Sequence, residues 1–245
     1  MRWPTDVWAG HPLRALALAW LALAAWGAHA RTPITLEGLG GLRVDATEVT
    51  IAQFRRYAQA TGVVTAAERE GGGFEYQGGW QRRSGWHWQR PEGTPPATDD
   101  LPAVHLTHAE AAAYCRHAGG RLPTAAEWRQ AAFTELRASP PSPWVRDTTY
   151  PWHTGNSPDG ANTSDPDPWP RAAPVTDTRV GVNGLHDMGG NVWEWAADTR
   201  GDESQTLGGS WWYPPSQMKP DVQAWKPRGF YAVYIGFRCV YDAKR

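Results

Sequence analysis

Two stretches of this chain, 70–103 and 138–182, are so dense in proline and glycine that neither a long helix nor a long strand can run through them. Segments of that length without regular structure, inside a folded domain, point to function or to a ligand that orders them. They also exclude a simple helical bundle. The chain holds 16 tryptophans beside 21 prolines and 26 glycines. Large indole rings suit a fold that must fill gaps between irregular segments.

Three helices are legible between the loops. "TIAQFRRYAQATG" starts on Thr50 as N-cap and stops at Gly62, with Ile51, Phe54, Tyr57 and Ala58 on one face. "THAEAAAYCRHAGG" opens with a capping box, Thr107 to Glu110, and "TAAEWRQAAF" repeats the device with Thr124 and Glu127. Short strands are expected at "GLRVD", "TLGGSWW" and "YIGFRCVYD".

Residues 1–30 read as an export signal. Arg2 and Arg14 precede an apolar run from Ala15 to Trp26, and Ala28-His29-Ala30 fits a cleavage site. A run of roughly a dozen apolar residues is too short to span a bilayer. The mature chain, 31–245, is then expected to be a single domain, periplasmic or secreted, monomeric and free of the membrane. Its net charge of −2, after removal of Arg2, Arg14 and Asp6, gives no bulk attraction for nucleic acid. Two cysteines, Cys115 and Cys239, in an exported chain suggest a disulfide, with two buried thiols as the alternative.

Standard catalytic signatures are missing: no phosphate-binding loop, dinucleotide fingerprint, Gly-x-Ser-x-Gly elbow or Cys-x-x-Cys occurs. His105 and His108 straddle a helix start and would need a third ligand to hold a metal. "LHDMGGNVWEW" is more informative. Asp187 and Glu194 are carboxylates seven residues apart, and Gly189-Gly190 between them lets the backbone fold back. A hard cation such as Ca²⁺ takes carboxylate and carbonyl oxygens, which such a turn can supply. The alternative is a turn followed by a buried Trp-rich strand.

Six blocks in order, "EVTIAQFRRYAQATGVVTAAER", "GWHWQRPEG", "LPAVHLTHAEAAAYCRHAGGRLPTAAEWRQAA", "NGLHDMGGNVWEWAAD", "LGGSWW" and "IGFRCV", resemble the formylglycine-generating enzyme (sulfatase-modifying factor) family over about residues 40–242. The family's usual opening "PAG-x-F-x-MG" is replaced by "ITLEGLGGLRVDATEVT". The resemblance implies an irregular, loop-rich α+β domain related to C-type lectins. It implies that Cys115 and Cys239 form the family's structural disulfide. It also implies a calcium site made by the side chains of Asp187 and Glu194 and the carbonyls of Gly190 and Val192. A second family site would begin at Asn162 and Thr163, with Asp165 or Asp167 substituting for partners in a shortened loop.

The departures bear on chemistry. The family holds copper between two cysteines placed five residues apart after the "GGS" segment, and those positions are Tyr213 and Met218 here. A soft Cu(I) ion needs thiolates, so copper is not expected, and any redox cofactor is unknown. The family asparagine before "GFRC" is Tyr234. Ser210 matches the family serine and is the candidate catalytic residue, with His87, His105 and Glu92 as further candidates. Trp193 matches a pocket tryptophan, and Trp211, Trp212, Tyr213, Met218 and Tyr234 would complete a substrate groove.

Three functions follow from the resemblance. The first is a periplasmic maturation or tailoring factor acting on a peptide or protein, or on a small exported metabolite, without the copper–cysteine mechanism. The second is a catalytically inactive lectin-like module binding peptide or glycan. The third is formylglycine formation by another route. Sulfoxide synthases sharing the domain carry an extra His-rich helical domain, for which 245 residues leave no room.

Overall fold

Four capping boxes set where the helices begin. The computed structural model describes residues 32–243. Thr50 caps α1 (Ile51–Thr61), accepting from Gln53 N while the Gln53 side chain returns the bond, and Gly62 ends the helix in the left-handed region. Thr107 and Glu110 cap α3 (His108–His117), and Thr124 and Glu127 cap α4 (Ala125–Phe133). A fourth box, Thr65 with Glu68, starts the single turn α2 (Ala66–Arg69), which the sequence reading passed over. Glu110 links two of these helices: one oxygen closes its own capping box and the other accepts Ala66 N of α2 at 2.6 Å.

Three small sheets fill the spaces. The first joins the two ends of the described chain: β1 (Ile34–Leu36), β2 (Leu42–Val44) and β9 (Val240–Tyr241) lie antiparallel in the order β1-β2-β9. The second is a hairpin, β3 (Gly72–Tyr76) with β4 (Trp80–Ser84). The third has the order β7-β6-β5-β8, built from β5 (Trp193–Arg200), β6 (Glu203–Leu207), β7 (Ala224–Pro227) and β8 (Ile235–Gly236), with β8 parallel to β5. Among the described residues no helix is long and apolar enough to cross a membrane. The expected signal, residues 1–30, lies outside the described residues.

One core packs α1 and α3 against β5 and the 230–240 segment. Phe54 sits at its centre, with ring centroids of Tyr57, Trp88 and Tyr114 at 5.3, 5.0 and 5.8 Å. A second core packs α4 against β1, β2 and β6 around Trp128, Phe133 and Leu185. Buried indoles need a partner for the N–H; Trp195 donates to Leu106 O at 3.0 Å and Trp128 to Glu194 at 2.8 Å. Cys115 of α3 and Cys239 beside β9 form a disulfide that spans 124 residues of sequence.

The strand expected through "TLGGSWW" stops at Leu207. Gly208 and Gly209 have φ of 96° and 75°, outside any strand conformation, so Ser210 and the tryptophans leave the sheet in a turn. "YIGFRCVYD" divides into β8 and β9, which belong to different sheets. The expected loop 70–103 contains the β3–β4 hairpin and the fully buried Trp88.

Candidate functional site

The Gly-rich turn between Leu185 and Trp193 coils tightly because three of its residues adopt positive φ: Asp187 at 54°, Gly190 at 91° and Asn191 at 47°. A Cβ on Gly190 would stand 2.5 Å from the carbonyl oxygen of Asn162, so only glycine lets these two segments touch. Asn191 N donates to that same carbonyl at 2.8 Å. Asn162 Nδ2 donates to Asn191 Oδ1 at 3.1 Å, and Asn191 Nδ2 donates to Glu48 Oε1 at 3.0 Å. The fold thus brings the residues of the two expected calcium sets, Asn162 on one side and Asp187 and Gly190 on the other, into one buried network. Thr163 turns away from it, with its N–H donating to Asp167 and its hydroxyl accepting from Asp165 N.

Charge in this network is unbalanced. Glu48, Asp187 and Glu194 face one cation, Arg238, and all four are buried. Arg238 grips Glu194, with Nε 2.8 and 3.0 Å from its two oxygens and Nη2 at 2.6 Å; Trp128 Nε1 adds a further bond. The guanidinium also donates to the carbonyls of Asp45 and His186. Both Glu194 oxygens are therefore committed to protein donors. In contrast, Glu48 Oε2, Asp187 Oδ2 and Asn162 Oδ1 are buried acceptors with no hydrogen-bond partner among the described residues. Burial pushes the Asp187 carboxyl up to about 7, against the bond from Thr178 and the attraction of Arg238. Burial, reinforced by Asp187, raises Glu48 as well.

Three orphaned oxygens beside surplus negative charge are the chemistry a hard divalent cation satisfies. Among the described residues no three His, Cys, Asp or Glu side chains converge closely enough to hold a metal by themselves, so most ligands would have to be carbonyls. Asp187 and Glu48 each keep one buried side-chain oxygen without a hydrogen bond among the described residues, open to such an ion. Glu194, with both oxygens taken, does not. The sequence reading missed Glu48 and Arg238, although both stand inside quoted blocks, at the start of "EVTIAQF" and within "IGFRCV".

The reactive-strand positions are placed differently from a continuous groove. Trp193, Trp211, Met218 and Tyr234 are buried, and Met218 packs over Gly189, whose added Cβ would meet its methyl at 2.8 Å. Tyr213 is half-buried, and Trp212 is 38% exposed. The exposed aromatic surface is made by these two and the hairpin: Tyr76 is 41% and Trp80 47% exposed. Ring contacts join them through the buried layer, with Trp80 to Phe230 at 4.6 Å, Trp80 to Tyr234 at 5.8 Å, Tyr213 to Tyr234 at 6.0 Å, and Trp211 to Trp212 at 5.4 Å. Beside Trp211 and Trp212, an open cleft of about 420 Å³ runs along Thr163–Trp169. Burial raises the Tyr213 and Tyr234 hydroxyls above the usual phenol range. The hairpin tryptophan could have been found from alternation in "FEYQGGWQR".

The candidate catalytic groups are dispersed. Ser210 is buried, and its Oγ accepts from Trp212 N at 3.4 Å; no histidine, lysine or carboxylate bonds it among the described residues. His105 Nε2 donates to Pro91 O and His108 Nε2 to Ala196 O, so the histidine pair does not converge. His87 stands beside Glu68, and Glu92 beside Arg171. Tyr213 and Met218 supply no thiolate, and no cysteine is free among the described residues.

Over residues 23–243 the sequence matches the sulfatase-modifying factor enzyme 1-like domain. It is 33% identical over 207 residues to the formylglycine-generating enzyme of Streptomyces coelicolor, covering 70% of this chain and 62% of that protein. Hercynine oxygenase of Mycobacterium tuberculosis is 28% identical over 216 residues, covering 70% of this chain and 48% of that protein. The chain therefore spans less than two thirds of the length of these relatives. Among solved structures, PvdO from Pseudomonas aeruginosa shares the fold with a TM-score of 0.60 at 21% identity, over 82% of this chain and 80% of that one. CarF gives 0.56 at 19% identity, over 83% and 87%. The matched region, the C-type-lectin-like architecture and the single cysteine pair, already joined as Cys115–Cys239, agree: the chain belongs to the sulfatase-modifying factor family, as a divergent member without the catalytic cysteine pair.

Proposed function

We propose that this protein is an exported maturation or tailoring factor that holds a peptide-like substrate on its aromatic face and works without the copper–cysteine mechanism. The observation that supports this reading is the aromatic surface of Tyr76, Trp80, Trp212 and Tyr213, built over the position where the family keeps its copper thiols. Aromatic faces give large contact area at low entropic cost, and the adjoining cleft lies beside Asp165 and Asp167. Relatives named as a formylglycine-generating enzyme and a hercynine oxygenase indicate that the scaffold serves oxidative chemistry on more than one substrate. A relative named as an inactive formylglycine-generating enzyme from mouse keeps the binding-module reading as the alternative.

Periplasmic placement rests on the N-terminal signal. N-terminal sequencing of the protein from a periplasmic extract should begin at Arg31. The metal in this reading is structural calcium, held by Asp187, the Gly190 and Val192 carbonyls and Glu48, with Arg238 neutralising Glu194. Calcium should raise the melting temperature of EDTA-treated protein, and an unchanged transition would refute that assignment.

The functional test is direct. Candidate peptides and exported metabolite precursors are incubated with the full chain under O₂, and products are weighed by mass spectrometry. Tight binding lost in Trp80→Ala and Trp212→Ala, without any mass change, selects the binding module. A mass change abolished by the same substitutions selects the tailoring enzyme. Neither binding nor conversion would sink both readings.

A further inference from the structure

The Pro- and Gly-rich segment 138–182 encloses a hollow that shares no residue with the aromatic face. It is a cavity of about 150 Å³, lined among others by Trp144, Tyr150, Thr154, Gly155, Asn156 and Arg179. Trp144 lies against Gly155, where an added Cβ would stand 3.5 Å from the indole. The same indole meets Tyr150 edge-on, with ring centroids 5.0 Å apart. Tyr150 and Thr154 are buried, so the aromatic corner is fixed by packing.

Arg179 carries the charge of this lining, and no carboxylate lines it. The arginine stem passes over Gly160, where an added Cβ would stand 2.7 Å from the Arg179 Cβ, so glycine at 160 makes room for it. The backbone N–H of Arg179 donates to Gly160 O at 3.0 Å. Its guanidinium has no hydrogen bond or ion pair among the described residues, whereas Arg121, Arg137, Arg171 and Arg200 each grip a carboxylate of the chain. Asp159 accepts from Ser157 Oγ at 2.8 Å and lines a different cleft. Two neutral donors are open as well. Tyr150 Oη accepts from Val145 N while its own hydrogen is uncommitted, and the Asn156 amide makes no bond, among the described residues.

We propose that this cavity binds a small organic carboxylate, with its carboxyl group on Arg179 and its apolar body against Trp144. A planar guanidinium matches one carboxylate through two parallel N–H···O bonds, so a single arginine suffices. Inorganic phosphate or sulfate has no apolar body for the indole to cover, whereas a flat ring does. The volume equals that of roughly five waters in the liquid and lies below the ~300 Å³ at which drug-sized pockets begin, which limits the body to a single ring or a shorter chain. This site is independent of the aromatic face, and the two readings stand or fall separately.

The test uses the full, disulfide-intact chain with sodium benzoate as the probe, in a ligand-observed NMR titration at low ionic strength. Benzoate should bind with a Kd of about 1 mM or tighter. Benzamide, its uncharged isostere, should bind at least about tenfold more weakly, and acetate, which keeps the charge without the ring, at least about threefold more weakly. Arg179→Gln should weaken benzoate by at least about tenfold and leave the melting temperature in place, because the guanidinium is exposed and unpaired among the described residues. Arg179→Lys, which keeps the charge and loses the fork, should fall between the two. Equal affinity for benzoate, acetate and inorganic phosphate would mean general anion attraction and overturns the proposal. So does benzoate binding unchanged in Arg179→Gln, or no benzoate binding at all. Equal binding of benzoate and benzamide to the unaltered chain overturns it without recourse to any variant.

Discussion

Replacing Arg238 by methionine, which fills a similar volume without charge, removes the cation that faces Glu48, Asp187 and Glu194 among the described residues. The guanidinium makes three contacts to Glu194 within 3.0 Å and two more to the carbonyls of Asp45 and His186, from a fully buried position. Removing one partner of such a pair leaves a charge in the interior that water cannot reach, at a cost of about 3–5 kcal/mol. That is a large share of the ~5–15 kcal/mol by which domains are stable. For a domain of this size the loss corresponds to a melting temperature lower by roughly 6–20 °C. Urea denaturation at fixed pH, with the disulfide intact, measures it. The double variant Arg238→Met with Glu194→Gln should recover at least about half, because the stranded charge goes with its partner. A single-variant loss below about 1 kcal/mol, or a double variant no better than the single, would refute the view that Arg238 serves as the internal counter-ion.

Other expectations follow from the same geometry. Asp45 is pushed by burial up to about 6, although Cys239 N donates to it. The folded protein therefore binds more protons than the unfolded chain between about pH 4 and 6, so stability falls as pH rises through that window, by about 3 kcal/mol in all. Asp45→Asn should flatten that slope in a pH series of melting curves. Cys115→Ser with Cys239→Ser opens a closed loop of 124 residues and should cost roughly 2–5 kcal/mol, read by denaturation with and without reductant. Gly190→Ala meets Asn162 O at 2.5 Å in a left-handed conformation; it should destabilise by more than about 2 kcal/mol and blunt any calcium-dependent shift in melting.

The helices were legible because their signals are local. A threonine and an acid or amide three residues later fix a helix start whatever surrounds it, and all three expected starts stand where "TIAQF", "THAE" and "TAAE" placed them. The glycines were harder to read, since the same residue serves turns and close packing. Gly72 and Gly73 looked like loop, yet they sit in β3 because a Cβ there would strike Arg83 O and the His105 ring at 2.2 Å. Gly208 and Gly209 looked like strand, yet they end it. At the candidate site, Asp187, Gly190 and Asn162 were visible as motif residues. Glu48 and Arg238 were not, because their roles depend on partners far along the chain, and Tyr234 packs against Trp80 of a hairpin more than 150 residues earlier.

The pairing of β2 with β9, beside the Cys115–Cys239 bridge, has a consequence for how the chain is made. A polypeptide emerging from the ribosome amino end first exposes Glu48, then Asp187 and Glu194, long before residues 238–241 arrive. Until then the acidic interior lacks its arginine, α3 lacks its sulfur partner, and the first sheet lacks its third strand. Closure therefore waits on residues 238–241, and truncation before Arg238 would remove all three closures at one stroke.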